Sequence, residues 1–286
     1  MKKLLLSLAV LGGALSANAQ ELPMPSPASK LEQRVGLTDI TIEYSRPSMK
    51  EREIFGGLVP YGKMWRTGAN MNTTIEFSTT VRIYGNSLEP GKYSVFTIPE
   101  EDIWTIIFNK KTDHPGTMGY TEDNDFLRTE GQVTKVETPV ETFTIGINDI
   151  RTESATLTFE WANTLVSVPF SVEVKPLAKS NIEEALAASE EKWKVYRNAA
   201  NYYHNNDMES EKALEYINNS IDEKDDSWYS YWLKAEILAS QNEYKDAVKA
   251  AKEAKKVGIK AAEESGDEFG YTSMIDEGIN KWNEKK

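Results

Sequence analysis

The sequence predicts two units in series: an all-β antiparallel sandwich of about eight to ten strands, then an all-α module of helical hairpins. Three observations carry that prediction. Apolar residues alternate with period two through the first half, composition and periodicity both change at Pro176, and 286 residues suffice for two cores of ordinary size. The expected division is a leader over 1–19, an extended arm over 20–34, a β-sandwich over 35–176 and a helical domain over 180–286.

Met1 to Ala19 has the form of a secretory signal. Lys2 and Lys3 precede the apolar run Leu4 to Leu15, and Ala17-Asn18-Ala19 supplies small residues at cleavage spacing. Export to the periplasm or outside the cell is therefore expected. No later run reaches the roughly 18 apolar residues of a spanning helix. The chain has no cysteine, which excludes a lipidated cysteine anchor, disulfides and thiol catalysis. Its net charge of −12 becomes −14 once Lys2 and Lys3 leave, and that balance argues against nucleic acid or an anionic membrane as partner.

Glu21 to Lys30 is rich in Pro and Ser and reads as an arm suited to an edge or a tether. Ile40, Ile42 and Tyr44 then alternate with polar residues as a half-buried strand. Further strands are expected at Thr73–Phe77, Val81–Tyr84, Tyr93–Ile98, Trp104–Phe108, Thr142–Ile147, Ala155–Trp161 and Val166–Val174. Gly85-Asn86 and Pro90-Gly91 supply turns between them. Asn109-Lys110-Lys111 opens a polar loop running through His114-Pro115-Gly116 to Phe126.

Beyond Pro176 the apolar spacing becomes helical over Asn181–Ala188, Glu190–Asn205, Ser210–Asp222, Ser227–Gln241 and Tyr244–Val257. Ala213 stands 34 residues before Ala247, and Ala235, Tyr244, Ala251 and Ala254 fall near small and aromatic positions of a 34-residue repeat. The segment resembles a degenerate tetratricopeptide pair. Two repeats fall short of the three or more usually needed alone, so the tail is expected to lean on the sandwich or on a protein partner.

Between the first strand and Thr73 lies Tyr44 to Asn70, YSRPSMKEREIFGGLVPYGKMWRTGAN. Arg46, Lys50, Arg52, Lys63 and Arg66 outnumber Glu51 and Glu53, giving local charge +3 in an acidic chain. Tyr44, Phe55, Tyr61 and Trp65 are interleaved with the cations, and Gly and Pro divide the run into turns. Guanidinium forks suit carboxylate, phosphate or sulfate, and aromatic faces suit sugar rings. The candidate ligand-binding residues are Tyr44, Arg46, Lys50, Arg52, Tyr61, Trp65, Arg66 and Asn70, with Asn109 and Lys110 from the second loop. A small anionic or glycan-like ligand is expected. In the alternative reading, Arg46 and Arg66 pair with strand acids and clamp the loop, while Trp65, Trp104 and Trp161 are core.

Catalytic chemistry has little to work with. His114 sits in a turn and His204 in a helix, where solvated surface roles suit them better than that of a general base. Asp123, Asn124 and Asp125 lack the spacing of a calcium loop, and no glycine-rich phosphate fingerprint is present, so no metal or cofactor is expected. The rival reading is an envelope hydrolase using Asp125, Glu141 or Glu160.

YSRP at Tyr44, IFGGLVPYGKMWRTGAN from Ile54, GKYSVFTIP from Gly91 and WTIIFNK from Trp104 resemble the secreted bacterial family known as domain of unknown function 2911. The resemblance implies export, a compact β domain and a helical tail, with no activity to carry over. One departure stands out. Where the family usually has Lys-Gly-Arg, this chain has Lys50-Glu51-Arg52.

Overall fold

The computed structural model describes residues 22–113 and 115–286; the leader and His114 lie outside the described residues. Two compact units divide at Val174/Lys175. The first holds nine antiparallel strands in order of sequence: β1 (Ala28–Val35), β2 (Thr38–Ser45), β3 (Thr73–Phe77), β4 (Val81–Ile83), β5 (Asn86–Leu88), β6 (Gly91–Ile98), β7 (Ile103–Asn109), β8 (Asp125–Asn148) and β9 (Ser154–Val172). Across the sheet their order is β1-β2-β3-β6-β7-β8-β9-β4-β5.

This is one continuous sheet folded over on itself. Laid flat, β3 and β9 would stand four strand spacings apart, roughly 19 Å. Instead the rings of Phe77 on β3 and Phe170 on β9 are 6.4 Å apart. Tyr44 on β2 likewise meets Phe143 on β8 at 5.9 Å. The fold-over is possible because β8 and β9 are long enough to belong to both layers. Their pairing shifts register between Lys135 and Thr144, and Ala162 opposite takes a left-handed φ of +51°. Between the layers lie Ile40, Ile42, Ile75, Trp104, Ile106, Phe143, Phe159 and Trp161, all fully buried.

Two segments depart from the sequence reading. Residues 28–34 of the expected arm, with Val35, form the edge strand β1, paired with β2 from Ala28↔Ser45 to Val35↔Thr38. The expected polar loop runs to Phe126 and the next strand is expected from Thr142, whereas β8 already starts at Asp125 and residues 125–141 are about its first two thirds.

Six helices follow: α1 (Val174–Ala188), α2 (Lys192–Asn205), α3 (Ser210–Glu223), α4 (Trp228–Ser240), α5 (Tyr244–Ser265) and α6 (Thr272–Asn283). Residues 176–180, where the sequence places the boundary between the two units, lie inside α1, where Pro176 occupies the first turn and gives up no intrahelical bond. Asn242, at φ +65°, reverses the chain between α4 and α5, with Glu243 N–H donating to Leu238 O at 2.9 Å. Consecutive helices pack from α2 to α6, and α2 also touches α4, as stacked hairpins do. Ala213 and Ala247 are both fully buried at the helix crossings. The sequence reading lacked α6, whose Ile275, Ile279 and Trp282 complete the last cluster, Trp282 stacking on Trp232 at 5.4 Å. Among the described residues no helix is long and apolar enough to cross a membrane.

Candidate functional site

Residues 46–72 leave the end of β2, cross the mouth between the layers and return as β3. Short backbone bonds fix the path. Trp65 and Thr97 exchange N–H to carbonyl bonds of 2.7 and 3.0 Å, Met49 N–H donates to Glu141 O at 2.8 Å, and Phe143 N–H donates to Pro47 O at 2.9 Å. Trp65 is the plug. Its indole stacks on Trp161 at 5.8 Å, meets Phe143 at 5.0 Å and Trp104 at 6.2 Å, and its Nε1–H donates to Gly68 O at 3.1 Å.

Met49 to Arg52 forms a tight turn closed by Arg52 N–H to Met49 O at 3.1 Å. Lys50 and Glu51 take φ values of +49° and +60°, the two left-handed central positions of a type I′ turn. Glycine at the second of these would be free of strain. Glu51 holds the same turn at a cost. Replacing Glu51 by Gly is expected to raise stability by up to about 1 kcal/mol, the penalty of a side chain in the left-handed region less the entropy glycine loses on folding. Chemical denaturation of the two proteins checks this, and a destabilised Gly variant would show that Glu51 contributes contacts outweighing the strain.

The loop walls a cleft of about 470 Å³. Lys50, Arg52 and Arg66 line it together with Trp65 and Asn70, so five of the ten sequence-selected residues converge there. Among the described residues no aspartate or glutamate lines it. None of the three cations forms an ion pair with a carboxylate among the described residues. Pro25 and Ser26 of the arm, Pro47, Leu58, Val59 and Trp161 are among the residues that supply the rest of its surface. The arm is tied down by Asn70 Nδ2 donating to Ser26 O at 3.0 Å and by Arg46 N–H donating to Pro27 O at 2.9 Å. Sequence reasoning missed Pro25 and Ser26 and placed Trp161 in the core. Trp161 is both, only 2% exposed yet forming part of the cleft floor.

The other five selected residues are elsewhere. Tyr44 is buried in the core, its hydroxyl bridging Ile145 N–H at 3.1 Å and Ile145 O at 3.4 Å. Arg46 donates from Nε to Phe143 O at 2.9 Å and from Nη2 to Thr144 Oγ1 at 2.6 Å. It is therefore the clamp of the alternative reading, but it grips backbone and hydroxyl oxygens of β8 rather than an acid. Tyr61 stands with Glu100, Glu101 and Asp102 in a separate acidic recess, where burial first and Glu101 next raise its pKa. Asn109 is fully buried and bonds Thr121 O and Asp125 Oδ1 at 3.0 and 2.8 Å. Lys110 lies over the Phe126 ring, 4.6 Å from its centre.

The three acids of the hydrolase reading are distributed and occupied differently. Asp125 receives Asn109 Nδ2, the Tyr120 hydroxyl at 2.7 Å and Arg128 Nε at 2.7 Å. Burial, reinforced by the Asp125 carboxylate, pushes the Tyr120 phenol up to about 12. Such a closed network is structural. Glu141 accepts the Lys50 N–H at 3.0 Å, and Glu160 sits mid-strand opposite Thr144. None of the three lines the cleft.

Residues 26–170 match the family described as Protein of unknown function (DUF2911), which is half of the chain, and the chain belongs to that family. No curated protein matches it.

Proposed function

We propose that this member of the DUF2911 family is an exported, non-catalytic binding protein of the cell envelope. Its β unit captures a small anionic or glycan-like ligand in the cleft walled by residues 46–70, and its helical unit contacts a protein partner. One observation carries the reading. In a chain of net charge −12, Lys50, Arg52 and Arg66 converge on a single cleft that no carboxylate among the described residues lines. Three cations brought together repel one another, and a bound anion relieves that repulsion. The volume falls within the roughly 300–1,000 Å³ of small-molecule sites. Export rests on the form of residues 1–19, and the protein contact on the resemblance of the tail to helical repeats. The hydrolase reading has less support, since Asp125 is held by three donors and the described lining of the cleft holds no paired acid and base.

Calorimetric titration of the full chain with glucuronate, galacturonate and sugar phosphates tests the reading. Binding of at least one acidic ligand is expected, weakening as salt rises. The triple variant Lys50→Gln, Arg52→Gln, Arg66→Gln is expected to lose it while keeping its circular dichroism spectrum. Equal binding by that variant, or no saturable binding of any acidic ligand, would overturn the proposal.

A further inference from the structure

Three guanidinium groups belong to the Tyr44–Asn70 segment, and they differ in which edge is committed. A guanidinium presents Nε–H and one Nη–H side by side, a fork matched to the two oxygens of a carboxylate or phosphate. Arg82 in this same protein shows that edge in use, with Nε and Nη2 both reaching Glu173 Oε1 at 2.9 and 2.6 Å. Arg46 commits the edge to Phe143 O and Thr144 Oγ1. Arg52 commits it to Met49 O and Ser48 O, at 2.8 and 2.6 Å. Arg66 does the reverse. Its Nη1 donates to Asn70 O at 2.7 Å, and its Nε–Nη2 edge has no partner among the described residues.

The Arg66 group is also held in place. Gly116 packs so closely on it that a Cβ there would stand 2.7 Å from Cζ and 2.8 Å from Nη1. Gly116 is buried at φ +58°, a conformation that also favours glycine. One end of the guanidinium is thus bonded and the group packed against, such a Cβ also standing 3.1 Å from Nε, while the Nε–Nη2 edge makes no hydrogen bond among the described residues and Arg66 lines the cleft with Lys50. Such pre-orientation lowers the ordering cost of binding.

From this geometry we infer that Arg66 is the specificity-determining residue of the cleft, taking the two-oxygen edge of an organic carboxylate or phosphate on Nε–H and Nη2–H. Lys50 adds a second, less directional charge. A bare inorganic ion would leave most of the 470 Å³ empty, and Pro25, Pro47 and Leu58 offer apolar surface for the carbon body of the ligand. The inference rests on the binding role proposed above and names the group recognised and the residue that recognises it. Gly116 is a positioning residue for that arginine.

The test follows arginine Nε–H resonances by nitrogen-edited NMR of the full chain during titration with glucuronate, glucose 6-phosphate and, as neutral control, glucose. The Arg66 signal is expected to move saturably with one or both acids and not with glucose. Those of Arg46 and Arg52 stay, because carbonyl oxygens already hold them. A response to glucuronate alone assigns a carboxylate ligand, and one to glucose 6-phosphate alone a phosphate. Arg66→Lys keeps the charge and is expected to weaken binding about tenfold or more, since an ammonium cannot reproduce the fork. Lys50→Gln weakens binding but leaves the Arg66 shift in place. Gly116→Ala displaces the guanidinium, abolishing that shift while the Lys50 amide still responds. Wild-type affinity in Arg66→Lys, or a stationary Arg66 signal while the Lys50 and Arg52 amides respond, overturns the role of Arg66 and leaves the cleft as an anion site. Silence throughout the cleft with both acids overturns the two together.

Discussion

Trp65→Ala is expected to lower the stability of the β unit by about 3–5 kcal/mol, the range for truncating a large packed aromatic. The side chain is the hub of the aromatic cluster that joins the loop to both layers, touching Phe55, Trp104, Phe143 and Trp161 within 6.2 Å. Ala would leave a void facing the cleft floor, and the Thr97 bridge would hold the backbone over it. Urea denaturation followed by the remaining tryptophan fluorescence measures the change. A loss below about 1 kcal/mol would mean the loop can collapse onto the vacancy and that Trp65 is not the plug.

Arg46→Ala and Arg66→Ala should separate cleanly in the same assay. Removing Arg46 leaves Phe143 O and Thr144 Oγ1 without their charged donor, and hydrogen bonds to charged groups are worth about 1.5–3 kcal/mol each. Allowing for partial exposure, a loss of about 2–4 kcal/mol is expected. No carboxylate is stranded, because none among the described residues pairs with Arg46. Arg66 makes one bond to a carbonyl at the surface, so its loss should stay under about 1 kcal/mol while ligand capture disappears. Equal, large destabilisation by both substitutions would return Arg66 to a purely structural role.

That contrast marks how far the residues alone can be read. Arg46 and Arg66 look alike in the sequence, each within two residues of an aromatic and of a proline or glycine. Their roles diverge because the folded-over sheet brings β8, about a hundred residues later, under Arg46 and leaves the cleft beside Arg66. Local composition was enough to select Lys50, Arg52, Trp65, Arg66 and Asn70, since a single loop carries them all. Trp161 and the Ser26 strap reach the same cleft only through long-range pairing, which no local pattern encodes. Strands with one buried face, such as Ile40-Ile42-Tyr44, announced themselves by alternation. The first part of β8 did not, because residues 134–142 lack a continuous buried face and so give no hydrophobic signal. β1 was obscured for a related reason. Lys30, Glu32 and Arg34 occupy its exposed positions behind a proline-rich lead-in.

Those same three charges bear on how the molecule behaves in company. As the outermost strand, β1 turns one row of backbone N–H and C=O groups toward solvent, a template on which another extended chain can add. Lys30 and Glu32 pair with each other at 2.5 Å and Arg34 reaches Asp39 at 3.6 Å, so an incoming strand would have to bring charges of its own beside them. The opposite border, β5, is only three residues long and offers too little backbone to recruit a neighbour. A sheet that never closes is thereby kept from growing, by charge at one margin and by brevity at the other.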